Sequence, residues 1–249
     1  KPEENRVSKK ENRRLAEVYK DFSAKDGETR NVQLLHPFSV TSRASYSASI
    51  LPPLSLAYLA STLREAGYPV GIIEAQGDGI FDFRISECGL YNIQGLTTEH
   101  VLERIEPETH ILGISLMFSY EWLIQRELIK AIKSRFPAII IVAGGEHPTA
   151  LPEYVLRDCP EINFVVSGEG EFTFLELISS IYNSRDYYSS PGTSYLDDNN
   201  RFVSNGLSNR ITHVDDLPRP AWDLCNVENY LQPNWSMGIG FGRHMPITA

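Results

Sequence analysis

The chain has 249 residues, of which 42% are hydrophobic and 22% charged, and it carries a formal net charge of −9 at pH 7. These values are typical of a globular protein with one large domain, or with a domain and an appendage. No apolar run reaches the ~18 residues of a transmembrane helix, and the acidic balance argues against a general nucleic-acid-binding surface.

Residues 1–30 form a highly charged arm in which Leu15, Val18, Tyr19 and Phe22 recur at helical spacing. This spacing predicts a short amphipathic helix on a polar extension. A solvated extension packed at one edge of the domain is the simplest interpretation of so many charges.

From residue 31 to residue 183, short apolar runs alternate with amphipathic stretches. The runs predicted as strands are 32–35, 70–73, 111–115, 139–142 and 164–166. The stretches predicted as helices are 54–66, 98–105, 120–135, 152–156 and 172–182. This alternation predicts a parallel sheet covered on both faces, which right-handed crossovers make a doubly wound α/β fold with five strands. The glycine-rich segment Ala75–Gly95 is predicted as a long connection.

Residues 184–249 have a different character. Two short runs, Thr193–Leu196 and Phe202–Ser204, flank a polar turn and predict a β-hairpin. The proline-rich segment Asp215–Asp223 is typical of an extended linker.

Ligands of open α/β sheets bind at the carboxyl ends of the strands. Neither G-x-G-x-x-G nor G-x-x-x-x-G-K-S/T follows the first strand, which argues against a standard dinucleotide fold and a P-loop. Instead, three neighbouring strands end in small residues, at 113–115, 144–145 and 167–170. Because glycine backbone can approach a ligand closely, this set predicts a long groove for an extended, non-protein ligand.

Several side chains near these strand ends have two interpretations. His147 is either a buried turn histidine, held by Glu146 or Thr149, or a ligand contact. Glu169 and Glu171 either favour the positive end of the following helix or form a catalytic carboxylate pair.

The three cysteines, Cys88, Cys159 and Cys225, are too far apart in sequence to share a short chelating loop. Their spacing excludes a zinc ribbon or a Cys-rich iron–sulfur cluster inside this chain. So few cysteines fit a reducing compartment, and we expect a cytoplasmic protein that binds neither membranes nor nucleic acid.

Ser115-x-Met117 followed by Gly144-Gly145 resembles the Ser-x-Leu and Gly-Gly pattern of cobalamin-binding domains, with Met117 in place of the usual leucine. A set of further motifs resembles the amino-terminal half of cobalamin-dependent radical S-adenosylmethionine (SAM) enzymes. These are 51–60 (LPPLSLAYLA), 144–149 (GGEHPT), 167–171 (SGEGE) and 216–223 (DLPRPAWD). The resemblance covers residues 31–249 and implies a flavodoxin-like or Rossmann-like fold that binds cobalamin.

The resemblance implies that the cofactor lies along the carboxyl edge of the sheet and that no catalytic residue lies in this chain. The residues it assigns to cofactor binding are Leu51, Pro52, Ser115, Met117, Gly144, Gly145, Glu146, His147, Thr149, Ser167, Gly168, Glu169 and Gly170. It also implies that residues 31–183 form the cobalamin domain, and that residues 184–249 lead to a radical SAM domain as its partner.

Two departures from the family pattern have consequences. Many cobalamin domains carry Asp-x-His-x-x-Gly after the first strand, with the histidine as lower cobalt ligand; this chain has no Asp-x-His, and His36 only lies near that position. The resemblance therefore implies base-off cobalamin whose lower face is not held by a protein imidazole, with His36 as a secondary candidate for the lower ligand.

The second departure is that the motif Cys-x-x-x-Cys-x-x-Cys is absent. In the family this motif binds a four-iron four-sulfur cluster and SAM. The resemblance implies a parent enzyme that transfers a methyl group to an unreactive carbon or phosphorus, or catalyses a related radical reaction, with residues beyond these.

Two other functions stay open on the sequence alone. One is a self-sufficient enzyme, such as a sugar-nucleotide transferase, with His147, Glu169 and Glu171 as catalytic candidates. The other is an interaction or sensor domain of the same fold that has lost its cofactor. The glycines at three strand ends count against the second, because an empty groove does not need them.

Overall fold

The computed structural model describes residues 31–44, 50–183, 185–208, 210–211, 214–231 and 245. The helix predicted within residues 1–30 lies outside these residues. The strands are β1 (Asn31–His36), β2 (Ser39–Ser42), β3 (Val70–Glu74), β4 (Phe83–Ile85), β5 (Tyr91–Gln94), β6 (Thr109–Ser115), β7 (Ile140–Gly144), β8 (Phe164–Val166), β9 (Thr193–Leu196) and β10 (Phe202–Ser204). The helices are α1 (Leu54–Glu65), α2 (Ala75–Asp78), α3 (Thr98–Arg104), α4 (Trp122–Arg135), α5 (Glu146–Ala150), α6 (Pro152–Asp158), α7 (Gly170–Tyr182) and α8 (Val227–Tyr230).

One large sheet organises the fold, with the strand order β10-β9-β8-β7-β6-β1-β3. Strands β3, β1, β6, β7 and β8 are parallel to one another. Strand β9 pairs antiparallel with both β8 and β10. The parallel part has the flavodoxin-like order, which reverses beside β1. The predicted doubly wound α/β fold with five parallel strands is therefore confirmed, and the predicted hairpin extends the same sheet.

Helices cover both faces of the sheet, which explains why its strands are apolar on both sides. Leu35 and Leu112 belong to a buried cluster with α3, α4 and α6. Their neighbours Leu34 and Ile111 point the other way, into a cluster with α1 and α7. No helix in the described part of the chain is both long and apolar enough to cross a membrane.

The segment Ala75–Gly95, predicted as a long connection, contains secondary structure. It forms α2 and a β4–β5 hairpin, and β5 pairs antiparallel with β2 in a separate three-stranded sheet. Arg84 fastens this sheet to the domain, because its guanidinium donates to the Leu96 carbonyl at 2.9 Å and lies over the Phe38 ring. The prediction failed because these strands are short and pair with a strand far away in sequence.

The segment after the hairpin returns to the domain. The Ala221 amide donates to the Ala57 carbonyl in α1 at 2.9 Å, and Arg64 of α1 donates to both carboxylate oxygens of Asp223. Helix α8 then buries Tyr230, which is 5% exposed. The proline-rich linker is thus held against the surface of α1.

Candidate functional site

A cleft of about 380 Å³ opens at the carboxyl edge of the large sheet, between the sheet and helices α1 and α7. We call it the first cleft. The apolar part of its lining is Leu34, Leu56, Leu59, Gly113, Ile114, Val142, Val166 and Phe174. The small and polar part is Ser55, Ser115, Gly144, Gly145, Glu146, Thr149, Gly168, Glu169, Gly170 and Glu171. An apolar slot with polar groups at strand and helix ends suits a largely apolar group with a polar attachment.

Two glycines set the free space in the first cleft. A Cβ at Gly113 in β6 would come within 2.8 Å of Leu34 Cδ2 and 2.9 Å of Phe174 Cζ. Glycine therefore lets these two side chains close in over β6. A Cβ at Gly144, the last residue of β7, would meet only the Val166 carbonyl oxygen, at 3.9 Å. A side chain at Gly144 would therefore occupy space that belongs to the cleft.

Two other glycines at the same edge are required by the backbone. Gly145 has a φ of 107° and Gly168 a φ of 88°, a region that disfavours side chains. A Cβ at Gly145 would also lie 2.5 Å from the Leu116 carbonyl oxygen. These glycines shape the turns after β7 and β8, whether or not a ligand approaches them.

Near β8, the lining of the first cleft contacts the segment that follows the β9–β10 hairpin. Glu169 accepts a hydrogen bond from the Ile211 amide and lies 3.8 Å from Arg210 Nε. The Gly168 amide donates to Thr149 Oγ1 at 3.3 Å. Burial raises the pKa of Glu171, and the charge of Glu169 adds to this against an opposing backbone hydrogen bond. The two carboxylates therefore differ: Glu169 is hydrogen-bonded to the Ile211 amide, whereas the charged form of Glu171 is destabilised.

A second cleft, of about 240 Å³, adjoins the first, because Ser55 and Ser115 line both. Its apolar lining comes from the residues after β1, from the start of α1 and the residues before it, and from the loop after β6: Pro37, Phe38, Leu51, Pro52, Pro53, Leu54, Met117 and Phe118. Its polar lining is His36, Ser39, Ser55, Gln76, Ser115, Glu121 and Gln125. The second cleft is thus lined by side-chain amides, a carboxylate and an imidazole, whereas the interior of the first cleft is apolar.

A hydrogen-bonded group of three residues lies at the wall of the second cleft. His36 Nδ1 is 2.7 Å from Glu74 Oε1, and the Tyr230 hydroxyl donates to the other carboxylate oxygen. Burial lowers the pKa of His36, but the charge and hydrogen bond of Glu74 and the charge of Glu121 raise it overall. Gly77 leaves room for the Tyr230 ring, since a Cβ there would come within 2.5 Å of it.

Glu121 is the buried acid of the second cleft. Its carboxylate accepts hydrogen bonds from the Val40 amide at 2.8 Å, from Ser39 Oγ at 3.2 Å and from Gln125 Nε2 at 3.1 Å. Burial raises the pKa of Glu121, although these hydrogen bonds oppose the shift. The buried Gln125 Oε1 has no partner among the described residues and is an acceptor left unused in this cleft.

His147 and Ser167 line neither cleft, although both are predicted cofactor contacts. His147 is 3% exposed, its Nδ1 lies 2.9 Å from Ser119 Oγ, and its ring packs against Trp122. Burial lowers the pKa of His147. This matches the buried-turn interpretation, with Ser119 as the partner in place of Glu146 or Thr149. A role for His147 and Ser167 in cofactor binding stays a prediction.

The other predicted contacts surround the two clefts. Those at the first cleft are Ser115, Gly144, Gly145, Glu146, Thr149, Gly168, Glu169 and Gly170. Those at the second are Leu51, Pro52, Ser115, Met117 and the secondary candidate His36. Phe174, Glu121 and Gln125 were not predicted to line a cleft, because each lies in a helical pattern typical of a core-facing or solvated position.

A family model described as the B12 binding domain matches residues 43–178, more than half of the chain. Among curated proteins, an uncharacterized methyltransferase of Pyrococcus horikoshii is 31% identical over 76% of this chain and 37% of its own length. The anaerobic magnesium-protoporphyrin IX monomethyl ester cyclase of a Synechocystis strain is 28% identical over 72% of this chain and 33% of its own. The chain therefore spans about a third of the length of these curated relatives.

Solved structures of similar fold include the cobalamin-dependent SAM radical enzyme OxsB with aqua-cobalamin and SAM bound. It has a TM-score of 0.62 at 20% identity and covers 81% of this chain and 25% of its own. The radical SAM methyltransferase TsrM of Kitasatospora setae, with cobalamin and a four-iron four-sulfur cluster bound, has a TM-score of 0.54 at 19% identity. It covers 72% of this chain and 31% of its own. These likenesses bear out the predicted fold class.

Proposed function

The chain belongs to the B12-binding domain family, and on that premise we propose that it binds base-off cobalamin at the carboxyl edge of its large sheet. In this form the nucleotide tail of the cofactor is detached from the cobalt and extends into the protein. The first cleft is the observation that carries the proposal, because it is an apolar slot that opens at the edge where ligands of such sheets bind.

The residues of the first cleft fit the tail. Its benzimidazole base is planar and apolar, and the side chains of Leu59, Val142 and Phe174 provide apolar contact for such a ring. The ribose and phosphate of the tail would lie at the rim, near the hydroxyls of Ser115 and Thr149. The open space beside Gly144 lets the tail pass close to the backbone of β7.

The corrin ring would lie over the mouth of the two clefts. The loop that carries Leu51 and Pro52 and the residue Met117 lie at the second cleft, which adjoins the first. Met117 is 39% exposed and Leu51 is 44% exposed, so both can lose apolar surface to a bound macrocycle. The chain's role is to bind, orient and partly cover the cofactor, whose cobalt supplies methyl-transfer chemistry when bound.

The parent enzyme we propose is a cobalamin-dependent radical SAM enzyme that methylates an unactivated centre or catalyses a related radical reaction. The names of the relatives support both possibilities, since the Pyrococcus horikoshii relative is a methyltransferase and the Synechocystis relative is a monomethyl ester cyclase. The iron–sulfur cluster and SAM would be bound by a radical SAM domain as the partner of this one, because these residues hold no Cys-x-x-x-Cys-x-x-Cys.

Retention of hydroxocobalamin after desalting tests the proposal. We expect about one cobalamin per chain, with the absorption spectrum of the base-off form. Cobinamide, which lacks the nucleotide tail, is the matched ligand. Burying roughly 100 Å² of an apolar ring is worth about 2.5 kcal/mol, so cobinamide should bind roughly 70-fold more weakly.

A folded chain that retains no cobalamin would overturn the proposal. Equal affinity for cobalamin and cobinamide would overturn the placement of the tail in the first cleft. Binding of nucleotide sugars in place of cobalamin would favour the sugar-nucleotide transferase instead.

A further inference from the structure

The deep part and the mouth of the first cleft differ in polarity. Five apolar side chains of its lining are each at most 4% exposed: Leu34, Leu56, Val142, Val166 and Phe174. The polar side chains of its described lining are all half-buried or exposed: Ser55, Ser115, Glu146, Thr149, Glu169 and Glu171. The deep part is therefore apolar, and the polar groups lie where the cleft opens to solvent.

The backbone beneath the deep part is already hydrogen-bonded within the sheet. Strand β7 pairs with β6 over Ile140–Gly144 and with β8 at Val142 and Ala143, and such parallel pairing uses the N–H and C=O groups of the strands. The buried side-chain polar atoms that have no partner among the described residues all belong to residues outside the lining of the first cleft. A polar atom of a ligand that enters the deep part would therefore lose its hydrogen bonds to water without gaining others.

Cobamides differ in the base that ends the nucleotide tail, which is a benzimidazole, a purine or a phenol. Dimethylbenzimidazole, the base of cobalamin, presents two methyl groups and one free ring nitrogen. Adenine presents an exocyclic amine and several ring nitrogens instead. A buried polar group without a partner lowers affinity about 5- to 150-fold, and each buried methyl group raises it about fourfold. Both effects favour dimethylbenzimidazole in an apolar slot.

Two residues contribute apolar surface from the two sides of the first cleft. Val142 lies on the sheet side, two residues before Gly144 in β7, so the space beside Gly144 is on the face of the sheet that Val142 covers. Leu59 lies on the helix side, in α1, and its Cδ2 would be 3.4 Å from a Cβ at Gly170, the first residue of α7. A base in the slot would therefore contact both sides.

We propose that the first cleft selects cobamides with an apolar base, so that it takes dimethylbenzimidazole in preference to adenine, and that Val142 and Leu59 are specificity-determining residues for this choice. The inference rests on the proposed binding of base-off cobalamin and names the class of cobamide that the chain accepts. The preference comes from the lack of hydrogen-bond partners in the deep part, rather than from a polar contact made to one particular base.

The affinity of the full chain for three cobamides, measured by equilibrium dialysis, tests the proposal. The probes are cobalamin, adeninyl cobamide and p-cresolyl cobamide, whose phenolic base has no ring nitrogen. We expect adeninyl cobamide to bind about 5- to 150-fold more weakly than cobalamin, and more weakly than p-cresolyl cobamide. Adenine is the weaker ligand to cobalt and detaches more readily than dimethylbenzimidazole, so detachment acts against the expected order. The phenolic base does not bind cobalt, and its cobamide therefore reports on the slot alone.

Substitutions in the slot should narrow the difference between cobalamin and adeninyl cobamide. Val142→Thr replaces a methyl group by a hydroxyl at nearly unchanged shape, and one hydrogen bond to adenine should reduce the affinity ratio about 2- to 13-fold. Leu59→Gln should act in the same direction and serves if the threonine variant folds poorly in a urea titration. Val32→Thr is the matched control and should keep the ratio, because Val32 is 1% exposed in the same core cluster and lines neither cleft.

The outcomes separate this inference from the proposed function. Equal affinity for cobalamin and adeninyl cobamide overturns the selection and leaves cobalamin binding intact. Binding of p-cresolyl cobamide as weak as that of adeninyl cobamide overturns polarity as its cause. A ratio that is unchanged in folded Val142→Thr and Leu59→Gln variants, or that changes equally in Val32→Thr, overturns the assignment to these two residues. A folded chain that binds none of the three cobamides overturns both proposals.

Discussion

Gly144→Val places a side chain in the first cleft with little effect on the protein around it. The nearest atom to a Cβ at Gly144 is the Val166 carbonyl oxygen, at 3.9 Å, which is ordinary contact. The free energy of unfolding should therefore change by less than about 1 kcal/mol, because valine suits a strand and glycine weakens one. A bound tail would have to share its space with the two methyl groups. Such overpacking typically costs about 1–3 kcal/mol, which is a roughly 5- to 150-fold loss of affinity for cobalamin.

Equilibrium dialysis against hydroxocobalamin measures that loss, and urea unfolding measures stability on the same samples. Gly71→Val is the matched control, because Gly71 lies in β3 outside both clefts and a Cβ there would meet only Gln33, at 3.9 Å. It should keep the affinity of the parent chain. The reasoning is refuted if Gly144→Val binds cobalamin as tightly as the parent, or if Gly71→Val loses as much affinity.

Three further substitutions test the physical reading of the site. Gly113→Ala should lower the free energy of unfolding by about 1–3 kcal/mol in a urea titration, because its Cβ would press on Phe174 at 2.9 Å. Gly145→Ala should cost about 1–3 kcal/mol in the same assay, since its φ of 107° is strained for a side chain. Burial lowers the pKa of His147, so stability should fall as the pH drops below the ordinary value of 6.5, where the unfolded chain binds a proton that the folded chain does not. This contribution to the change of the free energy of unfolding with pH is at most about 1.4 kcal/mol per pH unit. His147→Gln should remove it, as measured by urea titrations at pH 7.5 and pH 5.5.

The alternation of strands and helices was predictable because each parallel strand is an apolar run and each covering helix is amphipathic. The strand of residues 164–166 was predicted with the bounds of β8, since flanking polar residues mark both of its ends. The small three-stranded sheet was not predicted, because β4 has only three residues. Its partner β5 also pairs with β2, which lies about fifty residues earlier in the chain. Short strands of this kind are specified by their partners rather than by their own pattern.

The clefts depend on a gap between elements, which a linear pattern does not contain. Phe174 reads as a core residue of α7, and it is one, yet the missing side chain at Gly113 lets it form the wall of a cleft. The pair formed by His36 and Glu74 is a different case. His36 directly follows the predicted strand 32–35, and Glu74 directly follows the predicted strand 70–73. The pair becomes evident once these two strands are known to be parallel neighbours.

The glycines at the strand ends show why residue type alone did not identify the ligand site. All were predicted to let the backbone approach a ligand, yet Gly145 is required by its φ and by the Leu116 carbonyl, and Gly113 by side chains on both sides of it. Gly144 differs, because among the described residues a Cβ there would meet only the Val166 carbonyl oxygen, at the ordinary contact distance of 3.9 Å. A glycine whose Cβ would make no contact closer than an ordinary one is not required to be glycine by the packing of the described residues. The space beside Gly144 is therefore the feature of this motif that best fits the proposed passage of a ligand against β7.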